Sequence, residues 1–283
     1  MSLQTADGEP WWRNYFDDDW FRLHEPLFPE ELSRREVAGM VELLGLPSGA
    51  RVLDSPCGWG RHTVLFRDAG YDAWGADLSH DLLSRVSPPA SALARGRRPS
   101  PSPRRSGGRS SGRAPGPASD IRQLPFADHT FDAVINAFTS LGLFDDDRDD
   151  LRALREARRV LRPGGSFLLE SMHRDDVVAA YAERDHWTLP DGTRIDAERR
   201  FDPVAGVSHE TWRWRNSDRN GVKRHSLRLR TATEIAGLLR RAGFRRVEWY
   251  GGWAGEPFTH RSPNLIAVAR TGRARLRDPA ARR

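Results

Sequence analysis

The stretch RVLDSPCGWGRHT, residues 51–63, limits what this chain can fold into more than any other. RVLD reads as a short buried strand ending in Asp54, SPCGWG as a tight loop, and RHTVLFRDAG as a helix closed by Gly70. Strand, glycine turn and helix in that order bring bare backbone to the carboxyl end of a strand, where open α/β sheets bind their ligands. Gly58 and Gly60 let the chain pass close to such a ligand. A dinucleotide site usually repeats glycine a third time, but Thr63 stands there. Asp54 would repel a pyrophosphate and suits a cationic ligand with an amino acid moiety.

The rest of the chain continues the alternation. PEELSRREVAGMVELLGL precedes the first strand as an amphipathic helix, with Val37, Met40, Val41, Leu43 and Leu44 on one side. YDAWGAD is a second strand ending at Asp77, and SHDLLSRV begins a helix with Ser79 as its N-cap. FDAVINAF is an apolar strand, DDDRDDLRALREARRVL a charged amphipathic helix stopped at Pro163, and SFLLES the next buried strand. Residues 186–230 differ: Asp191–Gly192 and Asn220–Gly221 sit between stretches of alternating polarity, which signals antiparallel hairpins. The helix TATEIAGLLRRAGF and the strands RRVEWYG and PNLIAVAR close the pattern. This predicts an α/β, Rossmann-like sheet of seven strands, its last strand antiparallel, with helices on both faces and a small antiparallel β insert. The domain organisation expected is an aromatic and acidic segment over 1–30, one domain over 31–270, and a basic tail over 271–283.

Between the second strand and FDAVINAF lies an anomaly. Residues 85–119 hold eight Arg, seven Pro, eight Ser and five Gly, with no acid. Of a formal net charge of +6, this tract carries +8 and the segment 269–283 carries +5, leaving −7 on everything else. Basicity therefore resides in two irregular segments, and nucleic acid is not expected as a partner; the tract also lacks interleaved aromatics for base stacking. Seven Pro and five Gly suit neither helix nor strand. The tract reads either as an inserted segment or as a translated wrong reading frame between two compensating shifts. The second is favoured, since out-of-frame GC-rich DNA encodes this vocabulary. If genuine, it predicts an incomplete sheet edge. The single cysteine, Cys57, excludes an internal disulfide and suits a reducing cytoplasm. No apolar run is long enough to span a membrane and the first residues lack a signal-peptide pattern, so a cytoplasmic protein is expected.

The segment VLDSPCGWGRH resembles the first motif of the class I S-adenosylmethionine-dependent methyltransferases, and three later segments fall in that family's order: GADLS, SDIRQLPFADHTFDAVINAF and LRPGGSFLLES. The resemblance covers roughly residues 35–85, 119–175 and 231–270. It implies S-adenosyl-L-methionine as cofactor and methyl transfer to an N, O or C nucleophile of a small molecule. Carried over by position, it implies a cofactor site of Asp54, Cys57, Gly58 and Gly60 around the first loop, and Asp77 and Leu78 at the ribose. Asp120 and Ile121 would hold the adenine, and Asn136 and Ala137 would stand beside the sulfonium. The bland readings stay open: turn glycines, a packed Cys57, a helix-capping Asp77, an ordinary strand residue at Asn136.

The family has no compulsory catalytic residue, so none is assigned, and no metal is expected. Substrate-side candidates are Tyr15 in the aromatic N-terminus, Thr139, Ser140, His173, and Arg213 with Trp214 in the insert. NAFTSLGLF is similar to a segment of the sugar N,N-dimethyltransferases, in which a His follows the Gly; here Leu143 stands at that position, which argues against amino-sugar methylation by the same mechanism. The rivals are an NAD(P)-dependent oxidoreductase, weakened by Thr63 and Asp54, and a nucleic-acid-binding protein using the Arg tract. A small-molecule substrate and a monomer or homodimer are expected.

Overall fold

The computed structural model of the chain describes residues 9–86 and 116–272. Its strands are β1 (Arg51–Asp54), β2 (Asp72–Gly75), β3 (Phe131–Asn136), β4 (Leu161–Ser171), β5 (Arg184–Thr188), β6 (Arg194–Asp202), β7 (Val207–Arg215), β8 (Asn220–Arg228), β9 (Arg246–Tyr250) and β10 (Leu265–Arg270). Six of them form the central sheet in the order β2–β1–β3–β4–β10–β9. The first four are parallel, and β10 runs antiparallel between β4 and β9. The α-helices are α1 (Trp12–Tyr15), α2 (Asp18–His24), α3 (Glu30–Leu44), α4 (Arg61–Asp68), α5 (His80–Leu83), α6 (Asp147–Val160), α7 (Arg174–Ala179) and α8 (Ala232–Ala242).

Side-chain alternation along the strands explains why helices cover both faces. Leu53, Val134, Phe167, Leu169, Leu265 and Ala267 point to one face, where α6 and α8 bring Leu151, Leu154, Leu238 and Leu239. Val52, Ala133, Ile135, Leu168, Ile266 and Val268 point to the other, against Val37, Met40 and Leu44 of α3 and Leu65 and Phe66 of α4. The helices end as their sequences dictate. Thr231 and Glu234 form a reciprocal capping box on α8, and Gly45 and Gly243 close α3 and α8 in left-handed conformation.

The expected seventh strand is absent among the described residues. Beyond β2 the sheet has a single parallel bridge, Asp77 to Ala118, with Ser119 N–H donating to Asp77 O at 2.8 Å. The segment reaching that edge is Gly116-Pro117-Ala118-Ser119, and a proline cannot donate to a growing ladder. Residues 87–115 of the tract, on which the frame-shift reading rests, and 273–283 of the basic tail lie outside the described residues. The helix begun at Ser79 is also shorter than expected, spanning His80–Leu83.

The insert is a four-stranded antiparallel sheet in the order β5–β6–β7–β8. Asp191–Gly192 makes its first turn, with Gly192 at φ +83° and Gly192 N–H donating to Leu189 O at 2.9 Å. Asn220–Gly221 does not make the last turn. Both lie within β8, and the chain reverses at Asn216–Arg219, where Asn216 Oδ1 accepts from Asp218 and Arg219 N–H. Gly221 instead sits opposite Trp214, whose ring leaves no room for a β-carbon: an added Cβ would lie 2.7 Å from it.

The insert is fastened to the main sheet near Gly142. Gly142 N–H donates to Asp150 Oδ1 at 3.1 Å, and Arg228 N–H donates to Gly142 O at 2.9 Å. Arg230 Nη2 then pairs with Asp150, whose side chain is fully buried, and with Asp147 at 2.9 Å. Removing one member of such a pair strands the other charge away from water. Arg230→Met should therefore lower unfolding free energy by about 3–5 kcal/mol, read from urea midpoints at unchanged slope. The double change Arg230→Met with Asp150→Leu should recover most of it; no recovery would mean that the pair is not what fastens the insert.

Candidate active site

A cleft of about 900 Å³ opens beside the carboxyl ends of β1, β2, β3 and β4. At its base, Asp77 organises the loop from β1 to α4. Its Oδ2 accepts from Gly58 N–H and its Oδ1 from Ser79 N–H, both at 2.8 Å. Gly58 holds φ +55°, and a β-carbon there would meet nothing nearer than Leu82 at 4.0 Å, so the backbone stands bare beside the cleft. Asp54 is buried and takes its hydrogen bond from Thr63 Oγ1 at 2.7 Å. Burial raises both carboxyl groups above the ordinary Asp range, and among the described residues neither forms an ion pair.

The sequence-predicted residues divide. Asp54, Cys57, Gly58, Asp77, Leu78, Asp120, Ile121 and Ala137 line the cleft, as do Tyr15, Thr139 and Ser140. Gly60 does not; it precedes α4 at φ +76°, and its place belongs to close packing, since a β-carbon would lie 2.8 Å from Val86. Asn136 lies behind the wall, donating to Ser55 O at 3.1 Å and accepting from Ser140 Oγ at 2.6 Å. Cys57 packs its sulfur against Gly75, and burial pushes its thiol well above the usual range. Two substrate-side candidates stand elsewhere. His173 is buried, with Nε2 2.8 Å from Ser262 O, and Arg213 is on the exposed side of β7, donating to Glu198 at 2.8 Å. Trp214 packs in the insert's own core.

Asp120 is more engaged than its predicted role implies. Burial pushes its carboxyl up, but Arg122 outweighs that through side-chain hydrogen bonds of 2.6–3.1 Å and its own N–H, and the net shift is downward. Arg122 also donates to Asp149 at 2.6 Å and lies over the rings of Trp12 and Phe144 at 5.0 and 4.6 Å.

The opposite wall joins the expected Thr139 and Tyr15 to residues that sequence reading missed, among them Phe138, Glu170, Glu210 and His225. Phe138 and Thr139 adopt left-handed backbone, at φ 64° and 52°, a conformation that costs non-glycine residues of order 1–3 kcal/mol each. Glu170 holds them, accepting Phe138 N–H at 2.6 Å through its carboxylate and Thr139 N–H at 3.3 Å through its carbonyl. Burial pushes the Glu170 carboxyl up to about 7 against the pull of that amide. Behind it, Glu36 accepts from Arg61 and lies 2.7 Å from His62 Nε2. From the insert come Glu210 and His225, cross-strand partners on β7 and β8. Tyr15 Oη lies 2.9 Å from His225 Nδ1, and His225 Nε2 lies 3.1 Å from Glu210 Oε2. Overhead, Trp11, Trp12, Tyr15 and Trp20 pack with Leu82 and Phe144. The N-terminal segment thus roofs the cleft.

With this geometry in view, comparison with known proteins is specific. A methyltransferase domain family matches residues 53–169. The ubiquinone/menaquinone biosynthesis C-methyltransferase UbiE of Acidiphilium cryptum is 33% identical over 136 residues, 46% of each chain. A demethylmenaquinone methyltransferase of Mycolicibacterium paratuberculosis is 33% identical over 126 residues, 44% of this chain and 43% of its own. This chain spans about half the length of the curated relatives it matches. Similarity in structure reaches further. The CcbJ methyltransferase of Streptomyces caelestis superposes with TM-score 0.73 at 18% identity, over 92% of this chain and 99% of that one. CalS10, an amino pentose methyltransferase of Micromonospora echinaspora solved with S-adenosylmethionine bound, gives TM-score 0.62 at 20% identity over 89% and 96%. Residues 53–169 match the methyltransferase domain family, and the chain shares the fold of these solved methyltransferases.

The roof carries its own pH sensitivity. His24 is stacked between Trp20 and Trp212, with ring centroids 4.3 and 4.9 Å away. Burial pushes its imidazole down from 6.5 to about 4. A depressed folded-state value means that the unfolded chain binds the proton first. Stability should be full above pH 6.5 and fall by up to about 3 kcal/mol as pH drops towards 4. Urea unfolding followed by tryptophan fluorescence across that window measures this. His24→Gln should flatten the loss; an unchanged loss would assign it to other groups.

Proposed function

We propose that this chain transfers a methyl group from S-adenosylmethionine to a small-molecule acceptor. The observation that carries the reading is the Asp77 carboxylate, buried beside the cleft without an ion pair among the described residues and holding the Gly58 loop by one oxygen and Ser79 by the other. Each oxygen keeps acceptor capacity for a neighbouring hydroxyl pair. With Asp54 it gives the base of the cleft two buried, unpaired carboxyl groups, a donor set that fits a ligand bearing an ammonium, a sulfonium and a ribose diol. Gly58, Asp54, Cys57, Asp77, Leu78, Ile121 and Ala137 would hold that cofactor, with Asp120 sharing its carboxylate with Arg122. Bound there, the cofactor supplies an electrophilic methyl group on a positively charged sulfur.

The chain's own residues do the rest. The roof of Trp11, Trp12, Phe16 and Trp20 keeps water from the reacting region, which strengthens electrostatic contacts inside it. On the acceptor side, the Ser140 hydroxyl is taken by Asn136, and the Thr139 hydroxyl accepts Met172 N–H at 3.0 Å. Tyr15 is the substrate-side candidate whose hydroxyl faces other chemistry. CalS10 acts on an amino pentose. At the position that held a His in the resembled sugar methyltransferases, Leu143 joins the aromatic cluster and supplies no base. No helix among the described residues is long and apolar enough to cross a membrane.

Titration calorimetry with S-adenosylhomocysteine should give a Kd in about the micromolar range, and Asp77→Asn should weaken it at least about tenfold. A protein that binds no S-adenosylhomocysteine, or an Asp77→Asn variant that binds it equally well, would count against this reading.

A further inference from the structure

We propose that Tyr15, positioned by His225 and Glu210, takes the proton of the methyl-accepting molecule, and that this molecule is a small amine entering as its ammonium cation. The inference rests on the methyltransferase reading and deepens it on the acceptor side.

Three elements far apart in sequence build the arrangement. Tyr15 ends α1, Glu210 lies on β7, and His225 faces it on β8. Glu210 Oε1 accepts from Arg199 Nε at 2.6 Å, while its Oε2 lies 3.1 Å from His225 Nε2. Burial pulls the Glu210 carboxyl upward, yet His225 and Arg199 outweigh it and hold it at about 2. It is therefore ionised and can only accept, so His225 Nε2 carries the hydrogen. In the proposed tautomer Nδ1 presents a lone pair, and Tyr15 Oη donates to it across 2.9 Å. Tyr15 thus points its proton at His225 and keeps oxygen lone pairs with which to accept a further hydrogen. Lys223, two residues before His225 along β8, donates to Tyr15 O at 2.7 Å, so one strand holds both the backbone and the hydroxyl of Tyr15.

Such a relay moves one proton and no oxidant is needed. The acceptor's N–H bond breaks and an O–H bond to Tyr15 forms. The original Tyr15 O–H bond breaks as His225 Nδ1 gains its hydrogen. The imidazolium charge is balanced by Glu210. The acceptor nitrogen keeps the electron pair with which it can bond to carbon, which an ammonium lacks.

Two further features favour a cation over a neutral alcohol. Besides Asp54, Asp77 and Asp120, five carboxylic residues line the cleft against two guanidinium groups, Arg61 and Arg199. Aromatic rings also surround the relay: Trp11 stands 5.1 Å from Tyr15 and 5.9 Å from His225, and Trp212 6.2 Å from His225. An ammonium group placed over the face of one of these rings would be attracted to it. The buried Trp11 indole N–H has no hydrogen-bond partner among the described residues and can donate to an oxygen of the same ligand.

The test uses the full chain saturated with S-adenosylhomocysteine and a matched pair of probes, phenethylamine and 2-phenylethanol. Long-range proton–nitrogen NMR should show His225 protonated at Nε2 and bare at Nδ1, with Glu210→Gln releasing that preference. Tryptophan fluorescence should show the amine binding at least about tenfold tighter than the alcohol, and Tyr15→Phe should remove that advantage. A hydrogen on His225 Nδ1, equal affinities for the two probes, or an amine preference surviving in Tyr15→Phe would each overturn the proposal. Because the tautomer is read on the wild-type chain, an unfolded variant cannot hide the answer. Failure of the wild-type chain to bind S-adenosylhomocysteine would overturn the methyltransferase reading instead, and the two failures are distinct.

Discussion

A carboxylate placed at the end of a buried parallel strand must find hydrogen-bond donors, and the donors that Asp77 finds determine how the cleft is built. It takes one N–H from the loop after β1 and one from the residue that caps α5. The loop can reach it because Gly58 adopts left-handed backbone and because Gly75, the last residue of β2, leaves space for Cys57 and Thr63. A β-carbon at Gly75 would stand 2.8 Å from Cys57 Sγ and 2.9 Å from Thr63 Oγ1. Thr63 in turn donates to Asp54, so the two strand-end acids are coupled through one short stretch of packed chain. The residue that breaks the three-glycine rhythm is therefore the one that satisfies the first acid.

Above that base, the cleft is enclosed by two pieces that the parallel sheet does not need. The N-terminal segment supplies the roof and the antiparallel insert supplies a side wall. They meet through aromatic stacking and through Asp17, which caps α2 and pairs with Lys223 of the insert. Neither piece would bury much alone: α1 and α2 together comprise eleven residues, too short to be stable in isolation. Their structure depends on each other and on the wall they create together.

What was legible in the sequence followed from periodicity and local turn chemistry. The strand-loop-helix around Gly58, the strand ending at Asp54, the one that stops at Gly75 two residues short of Asp77, and the helices with capping residues all declare themselves over short windows. The Tyr15–His225–Glu210 arrangement did not, for a definite reason. Reading Asn220–Gly221 as a two-residue turn would have paired Glu210 with Thr231, whereas the chain turns earlier and pairs Glu210 with His225. One misplaced turn shifts every cross-strand neighbour, and with it any chance of seeing a constellation that spans the hairpin. Similarly, Glu170 reads as one more residue of a buried strand, because nothing local reveals that two left-handed residues thirty positions away will need its carboxylate. The acid tally did carry through: with the Arg-rich segments set aside, the remainder is acidic, and so is the cleft.

The edge of the sheet shows what holds Asp120 where the described residues supply no further strand. A third parallel strand beyond β2 would normally present the residue after it to the ligand and hold it by a ladder of backbone bonds. Here one bridge at Ala118 does that work, and it cannot fix Asp120 two residues later. The side chains fix it instead. Arg122 clasps Asp120, reaches Asp149 on α6, and lies over the rings of Trp12 and Phe144. The same guanidinium therefore ties the expected adenine wall to the main domain and to the roof, replacing a row of directional backbone bonds by one cation with partners on several sides. Backbone ladders hold position whatever the neighbouring side chains do, while this clasp draws on the main domain through Asp149 and Phe144 and on the roof through Trp12. Through Trp12 and the helix that ends at Tyr15, the same guanidinium links the Asp120 end of the cleft to the Tyr15 end.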